Sequence, residues 1–242
     1  MIEKLRQTLG MAYLEAISIK RQPLWMVQGI MGTIGFIMAM FAWGRMEALR
    51  NLAIAYVIVG AWGQGVNIVA QTVGWNRVGR EFERLVASPV TLPVYFVSVV
   101  IGTSPFLFVN VVPAAILAIV VGMNLSSFLA LFLLAPVALM LGAFLSLALI
   151  LRMKNPTNIS AITNPLNTIT VMLPPVYYPA SILPPVLREV ALIVPTVSLT
   201  ELGRWITGSS LTYDIIYPIS AVAVWLIALT LLMSRKLRWG LE

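Results

Sequence analysis

The stretch Asn76-Arg77-Val78-Gly79-Arg80-Glu81-Phe82-Glu83-Arg84-Leu85-Val86-Ala87-Ser88-Pro89-Val90-Thr91-Leu92-Pro93 is the most charged segment in a chain that is otherwise mostly lipid-soluble. Arg77, Arg80, Glu81, Glu83 and Arg84 crowd between two long apolar runs. Val78, Phe82, Leu85 and Val86 recur at helical spacing and form one apolar stripe. Glu81 lies within helical reach of Arg77 and Arg84, which adds modest support. Pro89 disfavours helix at itself and at Ser88. The spacing therefore predicts a short amphipathic helix over residues 76–89, lying at a membrane surface with its charged face in water.

The flanking sequence makes the membrane reading necessary. Sixty percent of residues are hydrophobic and only 10% are charged. A globular domain is nearer half apolar and a quarter charged. The expected fold class is an all-α polytopic membrane protein, one transmembrane domain over residues 1–242. The chain has no Cys and no His. Disulfides, imidazole catalysis and ordinary zinc sites are thereby excluded, and no catalytic or metal site is expected.

Six spans are predicted, at residues 24–43, 52–74, 94–121, 128–151, 158–178 and 215–233, since about 20 apolar residues cross a hydrocarbon core. Residues 2–22 precede them as an amphipathic helix, with Ile2, Leu5, Leu9, Tyr13, Ala16 and Ile17 on one face. Residues 45–51 read as a short polar loop. Pro105 and Pro113 interrupt the third span. Pro174, Pro175, Pro179, Pro184 and Pro185 break the chain after the fifth, and residues 186–194 are too short to cross. A re-entrant region over residues 179–214 is the expectation, outward-facing and polar towards its end, with Glu201 and Arg204 as a surface ion pair.

An even span number puts both termini on one side. Of the 16 Lys and Arg, that side carries Lys4, Arg6, Lys20, Arg21, Arg77, Arg80, Arg84, Arg152, Lys154, Arg235, Lys236 and Arg238. The other side carries Arg45, Arg50, Arg188 and Arg204. The bias places the termini in the cytoplasm, in a multi-pass protein of the plasma membrane. The whole net charge of +7 then faces anionic lipid, which makes membrane lipids the partner and not nucleic acid.

Polar residues inside the spans are candidates for a cavity. Gln64, Asn67 and Gln71 fall on one face of the second span, where interhelical hydrogen bonding and cavity lining are both open readings. Asn164, Asn167, Thr168 and Met172 in the fifth span precede a broken backbone, tolerated only inside protein or beside water. Tyr177, Tyr178 and Pro179 are candidates for an outer gate. No acid or base falls within a span, which argues against a proton- or sodium-coupled carrier. A rhomboid-like protease needs a Ser–His pair and has none here. A passive channel or assembly scaffold is the alternative to driven transport.

The order of these elements resembles the ABC-2 type permeases, the membrane subunits of type V ATP-binding-cassette exporters. Gly79-Arg80-Glu81-Phe82-Glu83-Arg84-Leu85 running into Ser88-Pro89-Val90 is similar to the segment before that family's third span. Pro179-Ala180-Ser181-Ile182-Leu183-Pro184, with Leu187 and Pro195, is similar to its outer hairpin. Arg80 departs from the small hydroxyl residue that many members carry. The resemblance implies that Arg77, Arg80, Glu81, Phe82, Glu83, Arg84 and Leu85 form a coupling helix that docks on an ATP-binding-cassette ATPase. It also implies that two permeases, copies or paralogues, pair, and that a hydrophobic or amphipathic cargo (drug, lipid, peptide or glycan) leaves the cytoplasm. The chain contains no Gly-x-x-x-x-Gly-Lys-Ser/Thr loop. ATP and Mg are therefore expected on a separate subunit, and no cofactor on this one.

Overall fold

Helix is the only regular structure among the described residues of the computed structural model, which are 2–20, 23–78, 81–150 and 158–236. In chain order, α1 is Ile2–Lys20 and α2 is Pro23–Gly63. A π-helical turn, Gln64–Val69, leads into α3, Ala70–Val78. Next come α4, Glu81–Val86, and α5, Leu92–Thr103. A 3-10 turn over Ser104–Leu107 joins α5 to α6, Phe108–Val120. Then follow α7, Leu125–Leu131, α8, Ala135–Ile150, and α9, Ile159–Val171. The last three are α10, Pro185–Leu192, α11, Pro195–Ile206, and α12, Ile216–Lys236.

Four segments among the described residues are long and apolar enough to cross a membrane: Val27–Arg77, Leu92–Val120, Leu125–Ile150 and Ile216–Ser234. The first has 51 residues, far more than one crossing needs. It is folded back on itself at Arg45, whose φ of 53° and ψ of −140° are non-helical. The Tyr56 hydroxyl donates to the Thr33 carbonyl at 3.3 Å. In one straight helix those groups would stand roughly 35 Å apart. The expected polar loop at residues 45–51 is thus a reversal centred on one residue, and the second arm is already helical through Asn51. Positive φ at a non-glycine residue is costly.

The second arm is the centre of the bundle. Residues 51–62 are all buried, and other segments cover it on every side. Burial between helices in lipid is driven by close packing rather than by escape from water. Two glycines show how close the packing is. A Cβ at Gly65 would stand 2.2 Å from the Leu139 carbonyl oxygen, and one at Gly142 would stand 2.6 Å from that of Trp62. Each glycine receives the backbone of the other helix. At one end of the bundle α1 lies along α5, where a Cβ at Gly102 would come within 2.7 Å of the Ala12 carbonyl oxygen. Thr8 and Ala12 are buried there, while Ile2, Leu5, Leu9 and Tyr13 stay exposed as an apolar stripe.

Within the expected fifth span at 158–178, helical geometry stops at Val171, and 173–178 is irregular. Pro174 and Pro175 have no amide hydrogen to continue the ladder. The irregular stretch survives because residues 174–177 are buried in protein. The re-entrant region departs most from the sequence expectation. Glu201 and Arg204 are both 0% exposed, so the pair is a core feature and not a surface one. The reason is α11 itself, which packs on α2 and α12 with Gly203 against Ile54 and Ile58. Arg188 donates to the carbonyls of Ser181 and Leu183.

Candidate functional site

A cavity of about 460 Å³ lies between the two arms of α2, the π turn, α6 and α9. Small residues make the room. Gly29 and Gly32 on the first arm, and Gly60 and Gly63 on the second, all line it. A Cβ at Gly29 would meet the Val109 side chain at 2.8 Å, and one at Gly60 would meet Asn110 Cβ at 2.8 Å. The end nearer the irregular stretch is closed by aromatic rings. Tyr177 stands edge-on to Phe36, with centroids 4.7 Å apart, and to Tyr56 at 6.4 Å. Edge-to-face contacts of this kind are favoured by the ring quadrupoles.

Four amides line the cavity: Gln64, Asn67, Asn110 and Asn167. Gln64 donates both amide hydrogens away from it, to the Val100 carbonyl at 3.1 Å and to Thr103 Oγ1 at 2.9 Å. The π turn decides which amides belong. An i→i+5 turn takes up one extra residue, and one residue is about 100° of helix rotation. Gln64 and Asn67 keep their place, but Gln71 is swung off their face. It donates to Thr163 Oγ1 at 2.6 Å and accepts from Ser160 Oγ at 3.3 Å. Gln71 therefore ties α3 to α9 rather than lining the cavity. Met172 and Asn167 line it, whereas Asn164 and Thr168 are exposed and do not. Thr33, Tyr56 and Asn110 line it without having been singled out. The Gly-x-x-Gly spacing at 29–32 and 60–63 puts small residues on one face of each arm but does not point to these three residues.

The gate residues separate. Tyr177 is buried against the cavity, while Tyr178 stacks edge-on to Trp43 at 6.1 Å. Pro179 follows as a half-buried residue before the next 3-10 turn. Behind them, Arg204 reaches four acceptors. Nε donates to Asn51 Oδ1 at 3.0 Å, and one terminal nitrogen donates to Glu201 Oε1 at 2.5 Å. The other terminal nitrogen donates to the carbonyls of Val176 and Tyr178 at 3.3 and 2.9 Å. The second Glu201 oxygen accepts from the Thr212 amide at 3.0 Å. One buried ion pair thus fastens the irregular stretch and the loop that follows α11 to the central helix. The nearby Tyr213 phenol is pushed up to about 12, by burial first and then by the Glu201 charge.

The expected helix over 76–89 is divided. Arg77 lies in the last turn of α3, which continues the second arm, and α4 covers Glu81–Val86 alone. Glu81, Glu83 and Arg84 are exposed, and Leu85 is half-buried. Gly79, Arg80 and the side chain of Phe82 lie outside the described residues. Ser88 ends the segment by donating to the Leu85 carbonyl at 2.6 Å and accepting from the Val90 amide at 3.3 Å. A second cavity of about 580 Å³ separates α4 from α1 and α5, with Glu15, Asn76, Glu81, Arg84 and Tyr95 on its walls. Asn76 donates to the Tyr95 hydroxyl at 3.0 Å. Burial raises the Glu15 carboxyl above its ordinary value, and the Glu81 charge adds to the effect.

The helices, the amide-lined cavity and the charged segment around α4 meet an independent comparison. The family model described as ABC-2 type transporter matches residues 6–207, from α1 through α11. No curated protein matches the chain. With most of its length matched and its bundle of apolar helices, the chain belongs to the ABC-2 type transporter family, the membrane permease components of ABC transporters.

Proposed function

We propose that this chain is the permease subunit of an ATP-driven exporter that moves a hydrophobic or amphipathic substrate out of the cytoplasm. ATP and Mg sit on a separate ATP-binding-cassette subunit, and two permeases, identical or paralogous, complete the pore. The single observation that carries the reading is the uncharged, amide-bearing cavity between the two arms, closed on one side by Tyr177, in a chain of this family. Six crossings are part of the proposal. The reversal at Arg45 makes two of the 51-residue segment, three more segments cross whole, and α9 with the buried stretch at 172–178 supplies the sixth. The Lys and Arg bias supports a plasma-membrane orientation with both termini in the cytoplasm.

In this mechanism α4 docks on the ATPase through Glu81, Glu83 and Arg84. Leu85 faces back towards the bundle. α4 packs against α3, and α3 continues the second arm, so a push on α4 is passed through α3 to Gln64 and Asn67. The Arg204 network at the outer end holds Val176 and Tyr178 until that push arrives. The test replaces Glu81→Ala together with Arg84→Ala in the reconstituted complex. Loss of substrate-stimulated ATP hydrolysis, with the permease still folded, is the expected result. Coupled transport at the unmodified rate would count against the proposal.

A further inference from the structure

We propose that the π turn Gln64–Val69 is a movable defect in the central arm. In a second state its extra residue lies beyond Thr72, and Gln71 leaves α9 to bond Asn67. The movement frees α9 from α3 while residues 51–66 stay in place. It rests on the exporter reading only for the use that transport makes of it.

Buried polar groups fail to pair around this turn. Among the described residues, five buried side-chain atoms lack a hydrogen-bond partner. Gln64 Oε1 and Asn67 Oδ1 belong to the turn itself, and Ser146 Oγ and Asn167 Oδ1 to α8 and α9, which pack against it. All of them are almost without accessible surface, so water does not relieve them. Orphaned buried polar atoms are costly, and four of the five gather at this one turn. π turns are rare and concentrate at functional sites. The present register is held by Gln71, through Thr163 Oγ1 at 2.6 Å and Ser160 Oγ at 3.3 Å.

Passing the extra residue beyond Thr72 turns the residues between by about 100°. Gln71 takes the direction Thr72 has now, and Asn67 and Gln71 become i, i+4 neighbours of an ordinary helix. Amides at that spacing bond one another, so Gln71 Nε2 donates to the orphaned Asn67 Oδ1. The Thr163 hydroxyl falls back on a carbonyl of its own helix, and Ser160 is only half-buried. Packing leaves one direction of travel. Gly65 against the Leu139 carbonyl and Gly142 against the Trp62 carbonyl come closer than any side chain permits, which fixes residues 62–66 on α8. Towards α4, Gly74 has no side chain to displace, and a Cβ there would meet only the side chains of Ile159 and Ile150.

The chain has no Cys, so one introduced thiol reports its own surroundings. The test is the rate of N-ethylmaleimide labelling of the full chain in lipid nanodiscs. Ala70 is 0% exposed and Thr72 is half-buried. With the Gln71 bonds intact, Thr72→Cys should react and Ala70→Cys should not. Thr163→Val with Ser160→Ala removes those bonds. Residue 70 then moves to the half-buried place of Gln71, and residue 72 to that of Val73, which is 2% exposed. The Ala70→Cys rate should rise about tenfold and the Thr72→Cys rate should fall by a similar factor, the population shift that one or two hydrogen bonds command. Adding Asn67→Leu, which removes the second-state partner, should return both rates towards their starting values. If the double background folds poorly, Thr163→Val alone should give the same opposed changes at smaller size. Rates that rise together, as in a bundle merely loosened, overturn the proposal, and so do rates that do not change. No ATPase is present in this test, so the opposed changes alongside a failure of ATP-coupled transport would sink the exporter reading and leave this one standing.

Discussion

Replacing one member of the buried Glu201–Arg204 pair should destabilise this protein far more than replacing both. Arg204→Met leaves the Glu201 carboxylate at 0% exposure with the Thr212 amide as its remaining donor. It also strips a donor from Asn51 and from two backbone carbonyls. Stranding a buried charge in this way costs about 3–5 kcal/mol. Glu201→Gln strands the guanidinium instead, though three neutral acceptors remain around it, so its cost falls nearer the lower end of that range. In the double variant neither charge is stranded. Its cost should fall short of the sum of the two singles by about 3 kcal/mol. Unfolding of the four proteins in mixed micelles of dodecyl sulfate and dodecyl maltoside, followed by Trp fluorescence, closes the cycle. Singles that each cost under about 1 kcal/mol and add without coupling would refute the reasoning, because that is how an exposed pair behaves.

Other substitutions test the remaining contacts. Arg45→Gly relieves a positive φ of 53° and should raise stability by about 1 kcal/mol in the same assay, after the greater unfolded-chain entropy of glycine is subtracted. Gly65→Ala drives a Cβ into the Leu139 carbonyl and should cost about 3 kcal/mol or more. Gly10→Ala, with open space around it, should instead be neutral or slightly stabilising. Glu15 binds its proton more tightly in the folded protein than at its ordinary value of 4.5. The folded state then holds more protons than the unfolded one, so stability falls as pH rises through and above that value. Glu15→Gln should be the more stable form at neutral pH, and its advantage should vanish in acid.

The apolar runs were legible because a hydrocarbon core demands about 20 such residues at a time, whatever they pack against. What escaped was everything set by a neighbour. Residues 45–51 read as a loop by polarity, yet the chain reverses at Arg45 and the helix resumes at once. Gln64, Asn67 and Gln71 share a face only in an unbroken α-helix, and the π turn at Gln64–Val69 leaves no local mark in composition. Glu201 and Arg204 have the i, i+3 spacing of an ordinary surface pair. Only the packing of α11 on the central arm shows that they are enclosed. The prolines at 174 and 175 did signal a broken backbone, but not that the helix ends before them at Val171. In the candidate site, Gln64, Asn67 and Asn167 could be anticipated from polarity within an apolar segment. Thr33 and Tyr56 could not, since they come together only across the reversal.

The central claim is that this permease is driven by a separate ATPase through α4. Purification from its native membrane in mild detergent, followed by mass spectrometry of what accompanies it, tests that most directly. The account predicts a stoichiometric ATP-binding-cassette subunit that is lost when Glu81, Glu83 and Arg84 are replaced together. Recovery of this chain without any nucleotide-binding partner, under every gentle condition, would contradict it.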